Sequence, residues 1–297
     1  MIVITGATGN TGSVAAEKLL AAGEKVRVVG RSAERLDRFA AKGAELFVGD
    51  VTNGDAMIRA FTGASAVYAM MPPVFAHPDP RGYQEQVSNA LSAAVEKSGV
   101  KHVVALSSIG AEQAEGTGPI VGAHWLEQKL NRIAGLNVLH LRPGYFMENL
   151  FLYIGLIQKT GMVAGTARGD VPIPWIATRD IGEVAAEALR RRTWTGSRVR
   201  ELLGPRDVNM DEVARILGQA VGKRIPYTQL PAFVVKPAMV SMGISAAGAD
   251  LILELDQATN AGRIKALAPR SEESATPTTL EQFVVEVFLP AYQGKRS

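Results

Sequence analysis

The first residues that could do chemistry are Gly6-Ala7-Thr8-Gly9-Asn10-Thr11-Gly12, three glycines at three-residue spacing directly after the β-branched run of residues 2–5. Glycines between a strand and a helix allow a tight turn, a close approach of backbone to a pyrophosphate, and close helix–strand contact. The helix that follows offers unpaired N–H groups and a favourable dipole to the anion. The spacing therefore predicts a dinucleotide-binding loop, with Gly6, Thr8, Gly9, Asn10, Thr11 and Gly12 against the cofactor. A second feature stands about 20 residues beyond the loop, where an NAD-selective site would offer a carboxylate to the adenosine ribose. Here the second apolar run ends in Val29-Gly30-Arg31-Ser32. A guanidinium clamps a 2′-phosphate through two parallel hydrogen bonds, and Ser32 and Arg35 would add donors. The expected cofactor is NADP, with NADPH preferred over NADH. Met71, in Met70-Met71-Pro72-Pro73, is expected to border the cofactor's ribose or nicotinamide; core filling explains methionines here equally well.

These residues need elements to hold them. Residues 2–5, 25–29, 45–48, 66–70, 102–106 and 137–141 read as strands, apolar nearly throughout, as parallel strands covered on both faces should be. Helical patterns at 13–22, 33–41, 54–61 and 81–98 lie between them, and Val87, Leu91, Ala94 and Val95 form one buried stripe. The alternation predicts an α/β fold, a Rossmann-type doubly wound parallel sheet with a smaller, mostly helical C-terminal lobe. After Pro143 the pattern predicts a helix over 147–159 and a Gly/Pro-rich loop over 161–174. A helix should then open at Thr178-Arg179-Asp180 under a hydroxyl cap, followed by a strand over 199–203 and a helix from Asn209 to residue 220. The chain reads as one domain, with 1–146 as the dinucleotide-binding core and 147–297 contributing the lobe that covers substrate.

Composition narrows the chemistry. There is no cysteine among 297 residues, which excludes disulfides, thiolate metal sites and a cysteine nucleophile. The net charge is +3, too small an excess to argue for nucleic acid, and Arg190-Arg191-Arg192 reads as the cationic end of a helix. No apolar run reaches the 18 or so residues of a membrane helix, and the early Gly6 leaves no room for a signal peptide. A cytoplasmic, soluble protein is expected. His77, His102 and His140 pair with nothing at ligand spacing, so no metal is expected.

The G-x-x-G-x-x-G loop, Gly49-Asp50, Leu106-Ser107-Ser108, Leu141-Arg142-Pro143-Gly144, Phe146-Met147-Glu148-Asn149 and Thr178-Arg179-Asp180-Ile181 occur in one order. In that order the chain resembles the NmrA-like branch of the short-chain dehydrogenase/reductase superfamily. The branch includes NAD(P)H:quinone reductases and NADP-binding redox sensors. The resemblance implies that Asp50 lies near the adenine; a plain turn aspartate is the other reading. It also implies a catalytic serine followed by Tyr-x-x-x-Lys, from which this chain departs. His124-Trp125-Leu126-Glu127-Gln128-Lys129 puts Gln128 at the lysine position, and five helical residues turn Lys129 roughly 140° away from His124.

Tyr/Lys machinery protonates the alkoxide formed from a ketone, whereas a reduced quinone is a stable phenolate that solvent can protonate. The missing machinery points to an NADPH-dependent oxidoreductase acting on a flat conjugated acceptor such as a quinone. A non-catalytic NADP(H)-binding redox sensor is the alternative, and a nucleotide-sugar epimerase or dehydratase the third. His124, Ser107 and Tyr145 are the candidate catalytic residues, Ser107 also touching cofactor. His124 could equally be a satisfied structural histidine and Tyr145 a core residue. Phe146 and Asn149 would line the acceptor pocket. Tyr227, Phe233, Met239, Met242 and Ile244 either close over it or simply fill core.

Overall fold

The computed structural model describes residues 1–295. The strands β1 (Ile2–Ile4), β2 (Val26–Gly30), β3 (Glu45–Val48), β4 (Ala66–Met70), β5 (His102–Leu106) and β6 (Asn137–Pro143) alternate with helices. These are α1 (Asn10–Ala21), α2 (Ala33–Ala40), α3 (Gly54–Phe61), α4 (Pro80–Ser98) and α5 (Ile120–Asn131). Then come β7 (Tyr145–Phe146), a 3₁₀ stretch (Met147–Tyr153), α6 (Ile154–Thr160), β8 (Val163–Gly165), β9 (Ile173–Ile176), α7 (Thr178–Arg191) and β10 (Ser197–Leu202). The chain ends with β11 (Asp207–Val208), α8 (Met210–Val221), β12 (Tyr227–Gln229), α9 (Ala232–Ser241), α10 (Ala246–Asn260), α11 (Leu280–Phe283), a π-helical turn (Val284–Phe288) and α12 (Leu289–Tyr292).

The central sheet has seven strands in the order β3-β2-β1-β4-β5-β6-β10, every neighbouring pair parallel. This is the doubly wound α/β fold expected from the alternation of patterns. Strand order reverses between β1 and β4, and ligands in such sheets bind at the carboxyl ends beside that switch point. Strand periodicity divides the core: Ile2 and Ile4 face one layer with Leu19, Leu36, Tyr68 and Leu141, while Val3 faces the other with Met57, Phe61, Leu91 and Leu126. A third cluster, around Leu150, Trp175, Leu217, Phe283 and Phe288, holds the lobe together.

Four local readings need correction. The lobe does not begin cleanly after residue 146, because α7 lies over α1 and β10 pairs with β6, so residues 178–202 complete the central α/β layer. β3 is an edge strand with Glu45 and Val48 exposed, so it is not covered on both faces. Two short strands, β8 and β9, arise within or at the end of the stretch read as a loop, each stabilised by small sheets that no local pattern announces. The helix at Thr178 is not capped by a hydroxyl at its N-cap, which is Ala177. Glu148 does that work from the 3₁₀ stretch, accepting from the Thr178 N–H at 3.1 Å and from its Oγ1 at 2.6 Å.

Candidate cofactor and acceptor site

The glycine loop sits where β1 gives way to α1, at the switch point. Gly6 adopts φ +63°, and a Cβ there would lie 2.5 Å from the Met70 sulfur. A Cβ on Gly12 would lie 2.4 Å from the Gly6 carbonyl oxygen, a backbone atom that cannot step aside. Gly9 and Asn10 are exposed, and no side chain caps the first turn of α1 or brings a carboxylate to it. The result is an open, electropositive helix start, of the kind that attracts an anion, behind a loop that only glycine can form. The Thr11 side chain is buried, its hydroxyl accepting a 3.0 Å hydrogen bond from buried Tyr68. Thr5 pins β1 to β4, donating to the Tyr68 carbonyl at 2.9 Å and accepting from the Met70 N–H at 3.1 Å.

Arg31 is exposed at the end of β2, and among the described residues no carboxylate pairs with it. Ser32 caps α2, its Oγ accepting from the Arg35 N–H at 3.4 Å, while the Arg35 guanidinium reaches to 3.5 Å from the Thr8 carbonyl. Arg35 thus lies beside the glycine loop. Asp50 accepts from the Thr52 N–H at 2.9 Å and from its hydroxyl at 2.8 Å, the turn arrangement, through one oxygen only. Asp50 and Arg31 both act on Tyr83: burial and the Asp50 charge push its phenol up, with Arg31 opposing. The Met71 sulfur packs against Gly122 at the start of α5, while Met70, not singled out for the cofactor, lies directly under Gly6.

At the hydride end, the Ser107 hydroxyl donates to buried Glu127. Glu127 also receives Arg142 in a bidentate pair, Nε to Oε1 at 2.9 Å and Nη2 to Oε2 at 2.6 Å. Burial alone would raise the Glu127 carboxyl, but the Arg142 hydrogen bonds, the His140 ring and Ser107 outweigh it and hold it below its ordinary value. Ser107 is therefore committed to a buried ion pair instead of standing free to polarise an acceptor. Sequence reasoning gave Glu127 and Arg142 no role. The available signal was a charge at residue 142 inside an apolar strand, since an arginine so buried needs a partner.

His124 is half-buried and its Nδ1 lies 2.8 Å from the Ala111 carbonyl. In the neutral ring this places the proton on Nδ1 and leaves Nε2 as an acceptor; an imidazolium would donate from Nε2. Lys129 turns to α4, where its Nζ donates to Ser88 at 2.7 Å, as the helical geometry requires. Ser108 bonds to the Ile109 carbonyl at 2.9 Å, and Asn149 is half-buried nearby in the chain from Phe146. The Tyr145 ring stands edge-on to Trp175, centroids 4.9 Å apart. Burial, with the charges of Asp256, Tyr153 and Tyr227 behind it, pushes its phenol well above the usual range.

The lobe contributes less cover than its sequence suggested. Tyr227 points inward, donating to the Ala167 carbonyl at 2.5 Å. Phe233 and Met242, however, are 79% and 68% exposed, and α9 buries no residue, so these two close over nothing. Helix α9 is tethered at both ends, by Leu230 N–H to Gly165 O at 2.8 Å and by Ser245 N–H to Phe75 O at 3.0 Å. Among the described residues no helix is long and apolar enough to cross a membrane, and no group of three or more His, Asp or Glu could hold a metal ion.

A model of the NmrA-like family matches residues 1–284. The NAD(P)H azoreductase of Xenophilus azovorans is 30% identical, over 86% of this chain and 86% of its own length. Triphenylmethane reductase of Citrobacter sp., solved with NADP(H), superposes with a TM-score of 0.81 over 96% of this chain and 99% of its own, at 22% identity. The NADPH-dependent quinone oxidoreductase QOR2 of Escherichia coli, solved with NADPH, gives 0.79 over 97% and 100% of the two chains, at 23% identity.

Proposed function

Because the chain belongs to the NmrA-like family, we propose that it is an NADPH-dependent oxidoreductase that passes hydride to a flat conjugated acceptor such as a quinone. The observation that carries this reading is a dinucleotide cradle with an unpaired Arg31 beside it and no Tyr-x-x-x-Lys pair beyond it. Gly6, Gly9, Gly12 and the open α1 N-terminus hold the pyrophosphate, and Arg31 with Arg35 receives the 2′-phosphate. Asp50 keeps one carboxylate oxygen for the adenine side. The bound cofactor supplies hydride. His124, Tyr145 and Phe146 form the acceptor's side of the cleft, with His124 Nε2 as the group able to accept or, when protonated, donate a hydrogen bond. Ser107 and Lys129 offer no proton, so the arrangement favours acceptors whose reduced form needs none from the protein. Positioning supplies much of the acceleration.

The test is absorbance-monitored NADPH oxidation with quinones, enones, dyes and aliphatic ketones. Turnover with quinones or dyes, and none with simple ketones, is the expected result. Ketone turnover that His124→Ala abolishes, with quinones inert, would overturn the acceptor assignment. Silence across all acceptors, with NADPH binding demonstrated in the same sample, would put a non-catalytic NADP(H) sensor in its place.

A further inference from the structure

Ser107 directly follows β5, at the carboxyl end of the sheet. Leu106, the residue before it, is the register partner of Met70 at the end of β4. A Cβ on Gly6 would lie 2.5 Å from the Met70 sulfur, so the ends of β4 and β5 and the glycine loop meet at one point of the cleft. On its other side the Ser107 backbone is fixed to β6, its N–H donating to the Leu141 carbonyl at 2.7 Å. Arg31 follows β2, beyond β1 in the sheet. A dinucleotide whose 2′-phosphate meets Arg31 therefore carries its nicotinamide across the switch point, to the ends of β4 and β5.

A hydroxyl has one hydrogen to give and two lone pairs to receive with. The Ser107 hydrogen goes to Glu127, and the direction of that bond cannot reverse. Arg142 grips the buried Glu127 carboxylate at 2.9 and 2.6 Å and, with His140, keeps it ionised at neutral pH, so it only accepts. Among the described residues no protein group donates to the Ser107 oxygen, whose lone pairs are left over. Ser108 and a neutral His124 spend their hydrogens in the same way, on the carbonyls of Ile109 at 2.9 Å and Ala111 at 2.8 Å. The polar side chains here receive hydrogen bonds and have none to give.

We propose that Ser107, held as an obligate acceptor by Glu127 and Arg142, receives an N–H of the nicotinamide carboxamide and so selects and orients the ring that carries the hydride. The inference deepens the oxidoreductase reading and rests on it. The ligand atom follows from what each ligand brings. A quinone presents only carbonyl oxygens and finds no donor at Ser107. The carboxamide presents two hydrogens on nitrogen, in the oxidised and the reduced cofactor alike. A hydrogen bond to it pins the ring against rotation about its glycosidic bond, and with that the face that gives hydride. Glu127 acts only through Ser107 and is a positioning residue.

The experiment titrates NADP⁺ and its 3-acetylpyridine analogue, which has a methyl group in place of the amide nitrogen, by calorimetry. Native protein should bind NADP⁺ more tightly, and Ser107→Ala should shrink the ratio of the two constants by about fivefold. Ser107→Cys, whose thiol still donates but accepts weakly, should shrink it too and serves if the alanine variant does not fold. Glu127→Gln, whose amide can donate to Ser107, should do the same, a change that a merely structural glutamate would not cause. A ratio unchanged by the Ser107 variants, whether both dinucleotides weaken together or neither does, overturns the proposal, as does native protein that binds the two alike. A ratio lost in His124→Ala and kept in Ser107→Ala also overturns it. The 2′-phosphate is common to both dinucleotides, so the Arg31 contact cancels. The oxidoreductase reading fails separately, if neither dinucleotide binds or no acceptor is reduced.

Discussion

Replacing Glu127 by alanine is expected to destabilise the protein by about 3–5 kcal/mol, because it strands a buried arginine. Arg142 has an 8% exposed side chain and gives two of its hydrogen bonds to Glu127; the remaining contact, to Glu112 at 3.2 Å, is half in solvent and compensates little. Urea unfolding followed by circular dichroism measures the loss. A double variant, Glu127→Leu with Arg142→Leu, should recover much of it, since removing both charges leaves no buried charge unpaired and only the Ser107 hydroxyl without its acceptor. The pair also sets a pH dependence. The folded Glu127 carboxyl lies below its ordinary value, so its contribution is complete above the unfolded carboxylate value of about 4.3 and is lost as pH falls through the folded value. The stability gap between native protein and Glu127→Gln should therefore narrow in acid. A gap that widens in acid would mean that the ion pair is not what the glutamate provides.

Arg31→Ala should raise the dissociation constant for NADPH by roughly 10- to 100-fold and leave NADH nearly unchanged, the loss expected for hydrogen bonds to a charged group. The side chain is exposed and unpaired, so the fold should not feel its removal; an unchanged melting temperature checks this. The difference between the two cofactors isolates the 2′-phosphate. Equal losses for both would show that the guanidinium acts on the shared part of the dinucleotide. Titration by protein fluorescence in low salt measures both constants, and the NADPH preference should weaken as salt is added.

The parts of this molecule legible in its sequence are those fixed by short-range rules. The strands at 66–70 and 102–106 and the helix at 54–61 form where their patterns place them, because apolar runs and helical stripes each have one way to be buried. The glycine loop was legible for the same reason: its steric demands are local. What escaped depends on pairs distant in the chain. Glu127 finds Arg142 across two elements, Glu148 caps a helix 30 residues on, and Asp256 meets Thr166 across 90 residues. The exposure of Phe233 and Met242 was equally invisible, since an apolar helix reads the same whether it is covered or stands free.

The return of α7 and β10 to the central sheet has a consequence for how the chain is made. When residue 146 has left the ribosome, the sheet layer beneath Ile4, Leu19, Tyr68 and Leu141 still lacks Ile181, Leu189 and Leu202, which belong to the same core. At about 5–20 residues per second, the missing stretch takes on the order of several seconds to arrive. During that interval the nascent nucleotide-binding half exposes apolar surface that it cannot cover by itself. Its closure waits on translation, and a ribosome stalled between β6 and β10 would present a chaperone with a sheet that α1 and α2 cover only in part on that side.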